Sequence, residues 1–199
     1  MAHEALVAQS EAAYGRGSKY LTQTDGFNVV SEDHEVTFSV LLNDTEHVAK
    51  FTGSVNKTPE FAMKFIAGNM AALRAAHMTY SKSTEYVANF PDNSHVIKEI
   101  SEYPDLGEMT MYKYFRRFPT EDGTVTLVGT VAELPEYPKG HSWLNFLIVK
   151  VEAHEGGSRF TIVNSPETTI QLPEEKKRAI AAEIKKFFVG VVTDVRNAA

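Results

Sequence analysis

Reading along this 199-residue chain, the spacing of apolar positions changes period several times, and its last thirty or so residues give the clearest signal. After Pro173, the stretch EEKKRAIAAEIKKFFVGVVTDVRN sets Ile180, Ile184, Phe187, Phe188, Val191 and Val195 at helical spacing. Glu183, Lys186 and Asp194 fall on other faces. Pro173 suits a helix start, and Glu174 and Glu175 suit the positive end of its dipole. The spacing predicts one long amphipathic helix, with Gly190 allowing it to bend or pack closely. Residues 3–14 read as a shorter helix, with Leu6, Val7 and Tyr14 on one side and Gly15 and Gly17 ending it.

Between these helices a period of two dominates. VTFSVLL at 36–42 and HVAKFTGSV at 47–55 read as a hairpin turning at Asn43-Asp44. Thr58-Pro59-Glu60 then opens a helical insert, with Thr as cap and Pro at the first position. FAMKFIAG carries that insert to Gly68, and NMAALRAAHM reads as a second helical stretch. Strand patterns return at 84–90, 94–101 and 109–118, and again in TVTLVGTV, WLNFLIVKVEA and SRFTIVN. Glu121-Asp122-Gly123 and Glu155-Gly156-Gly157 supply turns. Runs of strands with segregated helices predict an α+β fold on an antiparallel sheet. The whole of 1–199 reads as a single domain, with an N-terminal helix in 1–20 and a closing helix over 173–196. An apolar helical stripe at the chain end must be buried against a sheet. Closing a curved sheet over a cavity is one way to do so, and this hints at ligand binding.

Composition narrows the partners. A formal net charge of −6 disfavours a nucleic-acid surface, and the Lys176-Lys177-Arg178 charges read as a solvated helix face. Cysteine is absent, which removes disulfides, thiolate nucleophiles and Cys-based metal sites. The N-terminus lacks the pattern of a secretory signal, and no apolar run approaches the ~18 residues of a membrane span. The expectation is a soluble, cytoplasmic protein. None of the seven histidines pairs at i, i+4, and no HExxH occurs, so no metal is expected. No GxSxG, GxGxxG or P-loop motif is present, and no cofactor is expected.

The order of elements resembles the helix-grip fold and, within it, the START (StAR-related lipid transfer) family. Tyr112-Lys113-Tyr114-Phe115-Arg116-Arg117 resembles that family's strand of alternating aromatics ending in an arginine pair. Glu121-Asp122-Gly123-Thr124 is similar to the hairpin that follows. Val128-Gly129-Thr130-Val131-Ala132-Glu133-Leu134-Pro135 is similar to the strand running into a proline-containing loop, and Tyr137-Pro138 and Gly140 precede the next strand as in the family. The resemblance covers residues 20–196 in outline. At Thr110-Met111 the chain departs from the Arg-Asp pair of many START domains. The resemblance implies a deep, mostly apolar cavity between a curved antiparallel sheet and the C-terminal helix. It would hold one lipid: a sterol, a phospholipid, a sphingolipid or a fatty-acid-like molecule.

Period-two reading then nominates the lining. Opposite the wet positions Lys150 and Glu152, which share a face with Phe146 and Ile148, lie Trp143, Asn145, Leu147 and Val149. Phe51 and Ala49, and Phe160 and Ile162, are expected to point inward on their strands, and Ile184, Phe187, Phe188 and Val191 to form a lid. Tyr112, Tyr114 and Arg116 complete the expected ligand-binding set. Arg116 and Arg117 have opposite parity, so one should face in, as a headgroup anchor or as a structural ion pair with Glu108 or Glu133. The alternative to both is an exposed edge position. The loop at 135–142 and the insert could border a mouth, with Tyr137 and Trp143 either at a membrane interface or simply packed. The function expected is lipid binding without catalysis, with transfer between membranes or sensing, through transient membrane contact. The alternative is an enzyme of the same fold acting on a hydrophobic polyketide or aromatic molecule, for which Tyr112, Tyr114, Glu99 and His95 supply acid–base groups. A third reading is an interaction module whose cavity has collapsed.

Overall fold

A computed structural model describes residues 2–33, 36–43, 47–103, 107–119, 123–138, 144–166 and 174–199. Helix α1 (Ala2–Gly17) and the single turn α2 (Lys19–Thr22) lead into strands β1 (Asn28–Asp33), β2 (Val36–Leu42) and β3 (His47–Val55). Helix α3 (Pro59–His77) precedes β4 (Ser81–Asn89), β5 (His95–Tyr103), β6 (Gly107–Phe118), β7 (Val125–Val131), β8 (Leu144–His154) and β9 (Gly157–Pro166). Helix α4 (Glu174–Asn197) closes the chain. The nine strands form one curved sheet in the order β1-β2-β3-β9-β8-β7-β6-β5-β4, antiparallel at every pairing. This is the expected α+β helix-grip architecture.

Three local readings change. β1 joins the sheet edge although its sequence, NVVSED, is too polar to announce a strand. Its ladder to β2 supplies the pairing that its side chains do not. α3 runs unbroken through Gly68, where two helical stretches were expected. A glycine inside a helix costs ~1 kcal/mol, and burial of Ala62, Met63, Ile66 and Leu73 on one side offsets it. Its start is as read: the Thr58 side chain accepts from Phe61 N–H at 3.3 Å, with Pro59 in the first turn. α1 continues through Gly15 to Gly17.

The middle of the sheet is covered on both faces, while the edge strands β1 and β4 are largely exposed. On the inner face, α3 and α4 pack over a core that includes Phe38, Phe51, Leu127, Val149, Phe160, Ile162, Phe187, Phe188 and Val191. On the outer face, α1 and α2 pack over two smaller clusters. One holds Tyr20, Leu41, Val48, Val128, Phe146, Ile148 and Val163. The other holds Leu6, Val96, Tyr114 and Ala132. β7 is consequently buried at six successive positions, Val125 to Thr130, a pattern more usual in sheets sandwiched between helices. Gly17 lets the end of α1 sit on β8: a Cβ there would lie 2.6 Å from the Phe146 ring.

Candidate functional site

The inner face is mostly apolar, with Ser158 and Asn164 on β9 as polar positions and, among the described residues, buried charges only where β5, β6 and the end of α3 meet. On β5 the residues facing α3 and α4 are Ile97, Glu99, Ser101 and Tyr103, each nearly or fully buried. On β6 the same face carries Met109, Met111, Lys113 and Phe115. Register sets Glu99 opposite Met111 and Ile97 opposite Lys113, so Glu99 and Lys113 are diagonal neighbours within reach of a long side chain. Lys113 Nζ lies 2.5 Å from Glu99 Oε2. From the last turn of α3, Arg74 brings Nη1 to 3.0 Å from Glu99 Oε1. Glu99 is 1% exposed, and Arg74 is 6% exposed. The Arg74 guanidinium carbon stands 5.9 Å from the centre of the Phe187 ring on α4. One carboxylate between two cations therefore lies beneath the closing helix.

Electrostatics follow from this arrangement. Burial alone raises the Glu99 pKa, but Arg74 and Lys113 beside it outweigh that and hold it below the ordinary carboxylate value. Burial, together with repulsion from Arg74, outweighs the pull of Glu99 and keeps Lys113 below the ordinary lysine value. Three polar atoms here have no hydrogen-bond partner: Arg74 Nε, Ser101 Oγ and Thr84 Oγ1, whose residue lies directly opposite Glu99 on β4. Leaving such a donor buried and unpaired costs about 1–3 kcal/mol, so this cluster is a poor stabilising device. Perturbed ionisable groups inside a cleft-forming fold are the usual marker of a functional site.

The expected site residues divide by face. Phe51, Leu147, Phe160, Ile184, Phe187, Phe188 and Val191 belong to the inner core beside α4. Phe51 and Phe188 are in ring contact at 4.6 Å, and Phe187 meets Phe188 at 5.3 Å. Trp143 lies outside the described residues. Tyr112, Tyr114 and Arg116 were expected to face the same interior and do not. They share the opposite parity of β6 and point at α1. Tyr114 OH donates to Ser94 Oγ at 2.8 Å, and Tyr112 packs on Tyr137. Arg116 pairs with Glu11 of α1 and with Asp92, and Arg117 with Glu60 at the start of α3, instead of Glu108 or Glu133. Both arginines border an open hollow of about 450 Å³ with Asp92, Phe118, Pro119 and Thr124, on the surface and away from the inner core. The physical reason is that both faces of β6 are covered. Aromatic residues then mark neither face, and Lys113 is satisfied on the inner face by Glu99.

At Asn145 the strand is irregular. The β8 register shifts between Leu144 and Phe146, so alternation read back from Lys150 does not carry through it. Its backbone carbonyl accepts from Arg16 Nη2 at 3.0 Å, a tie to α1. His95 stacks on Phe115 with ring centres 5.6 Å apart, and burial lowers its pKa. His95 and Glu99 are four residues apart on one strand, roughly 13 Å, too far to share a proton. Arg74 and Lys113 were not singled out from the sequence. A signal existed for Arg74: it falls one helical step after Met70 on the stripe Ala62, Ile66, Met70. Among the described residues no group of His, Asp and Glu is arranged to hold a metal ion, and no helix is long and apolar enough to cross a membrane.

No protein-family model matches the sequence, and no curated protein matches it. Solved structures do match. Human StAR-related lipid transfer protein 5 superposes with a TM-score of 0.73 at 15% identity, covering 98% of each chain. Human STARD10 gives 0.67 at 12% identity, over 91% of this chain and 78% of the other. A STAR-related lipid transfer protein fragment from Xanthomonas axonopodis gives 0.67 at 11% identity, over 86% of this chain and 99% of the other. Superposition on these structures over most of the chain, together with the nine-stranded sheet and closing C-terminal helix, gives this protein the helix-grip fold.

Proposed function

We propose that this chain binds one lipid molecule between the inner face of the sheet and α4, and carries it between membranes or senses it in the cytoplasm, without catalysis. The observation that carries the proposal is the contrast on the inner face. An extended apolar surface, from Phe51 to Leu127, is interrupted by one buried charged cluster under Phe187. Apolar enclosure recovers roughly 0.8 kcal/mol per methylene removed from water. A polar cluster at one place fixes which end of the ligand lies where. The solved structures it superposes on include proteins named for lipid transfer. Glu99, held ionised by two cations, is poorly placed to act as a proton donor, which favours binding over chemistry.

The test is lipid analysis of protein isolated from its native source, by native mass spectrometry and organic extraction, followed by transfer between donor and acceptor liposomes. A stoichiometric lipid that moves between vesicles is expected. Protein that holds no lipid and transfers none overturns the proposal.

A further inference from the structure

The buried cluster holds more positive charge and more donors than it has acceptors. Glu99 is the only carboxylate among the described buried polar residues. Both of its oxygens are already used, one by Arg74 Nη1 and one by Lys113 Nζ. Glu183, whose charge also reaches Tyr103, spends its oxygens on Thr79, accepting from Thr79 N–H at 2.6 Å and from Thr79 Oγ1 at 2.9 Å. Arg74 Nε–H, the Ser101 hydroxyl and the Thr84 hydroxyl, opposite Glu99 on β4, are left with no partner on the same inner face. A guanidinium is always charged and presents its donors in a fixed fork that matches a carboxylate or phosphate. Lys113 stands below its ordinary pKa through burial and through Arg74, as a cation short of negative charge would.

Resting on the lipid-binding reading above, we infer that the ligand is an amphiphile with an anionic head, a carboxylate or a phosphate monoester. Its head oxygens accept from Arg74 Nε–H and Ser101 Oγ–H and complete the charge of Lys113. Its chain runs from β5 across β6, β7, β8 and β9 toward Phe51 on β3, five strand spacings or roughly 24 Å along the sheet. A neutral head would leave the second cation uncompensated.

The experiment measures binding of three chain-matched probes to the delipidated full-length protein by calorimetry: palmitic acid, hexadecanol and hexadecyl phosphate. At least one of the two anionic probes should bind about tenfold or more tighter than the alcohol, and which one names the head group. Arg74→Met should cost that anion about tenfold and leave the alcohol within about twofold. Ser101→Ala, a change too small to threaten folding, should weaken the anion by about threefold and not the alcohol. These ratios stand on wild type and Ser101→Ala if Arg74→Met does not fold. Equal affinity for the alcohol and both anions overturns the anionic head and leaves lipid binding intact. Failure of all three probes, with no lipid found in the native protein, overturns both.

Discussion

Among the described residues, Glu99 is the one buried carboxylate. It is the common partner of Arg74 and Lys113. Replacing it with Ala leaves two cations facing each other in the interior, and should cost about 3–5 kcal/mol, read from urea unfolding. The same residue gives an acid dependence. Its folded pKa is held below the ordinary 4.5, so near that value the native state binds fewer protons than the unfolded chain. Its contribution is therefore fully present above pH 4.5 and is lost as pH falls through the lower folded value. Titrating stability in this range should show a steeper fall for the wild type than for Glu99→Gln. Equal slopes would mean that Glu99 is not held ionised. Glu99 and Lys113 were both visible as residues in strands. Their partnership was not, because it depends on the β5–β6 register and on where α3 ends.

At the scale of elements, α4 is tied to the rest of the inner layer at a few polar points along its solvent edge. His77 Nε2, in the last turn of α3, lies 2.7 Å from Asp194 Oδ2. Thr79, just after α3, binds Glu183 through its backbone and hydroxyl, and Lys186 Nζ donates to the same hydroxyl at 3.0 Å. Gly190 lets the two helices meet: a Cβ there would sit 2.3 Å from the His77 ring. Partly exposed pairs of this kind are worth about 0–1 kcal/mol each, strong enough to align a helix and weak enough to release it. The double variant Glu183→Ala/Asp194→Ala should therefore speed amide hydrogen exchange in α4 and leave β7 and β8 unchanged. Uniform acceleration across the sheet would show that α4 opens only with global unfolding. The helix itself was legible from its stripe, since Phe187, Phe188, Val191 and Val195 are all buried as their spacing requires. Its polar ties were not, because each joins residues more than a hundred positions apart.

Over the whole molecule, the sheet separates two apolar layers. Phe146 belongs to the outer layer under α1 and α2, stacked on Tyr20 with ring centres 5.8 Å apart. Phe188 belongs to the inner layer under α4. Either one changed to Ala should cost about 3–5 kcal/mol in unfolding free energy. Lipid retention distinguishes them. Phe188→Ala should alter the amount or identity of bound lipid, and Phe146→Ala should leave it unchanged. Identical retention in both variants would place the ligand elsewhere.

The sequence by itself determined the elements and the fold class. Apolar spacing marks α1, α4 and most strands, Thr58-Pro59 marks the start of α3, and the strand-rich middle between helices demands an antiparallel sheet. These are short-range matters of periodicity, capping and turns, which neighbouring residues settle among themselves. The faces were decided by tertiary structure. Phe51, Phe160 and Leu147 could be assigned inward because polar residues mark the other side of their strands, whereas Tyr112, Tyr114 and Arg116 could not, because α1 buries the side they occupy. The charged cluster likewise exists only once α3, β5 and β6 bring Arg74, Glu99 and Lys113 together across the interior. Where a sheet is dry on both faces, alternation records strand but not direction, and only packing says which side faces the closing helix.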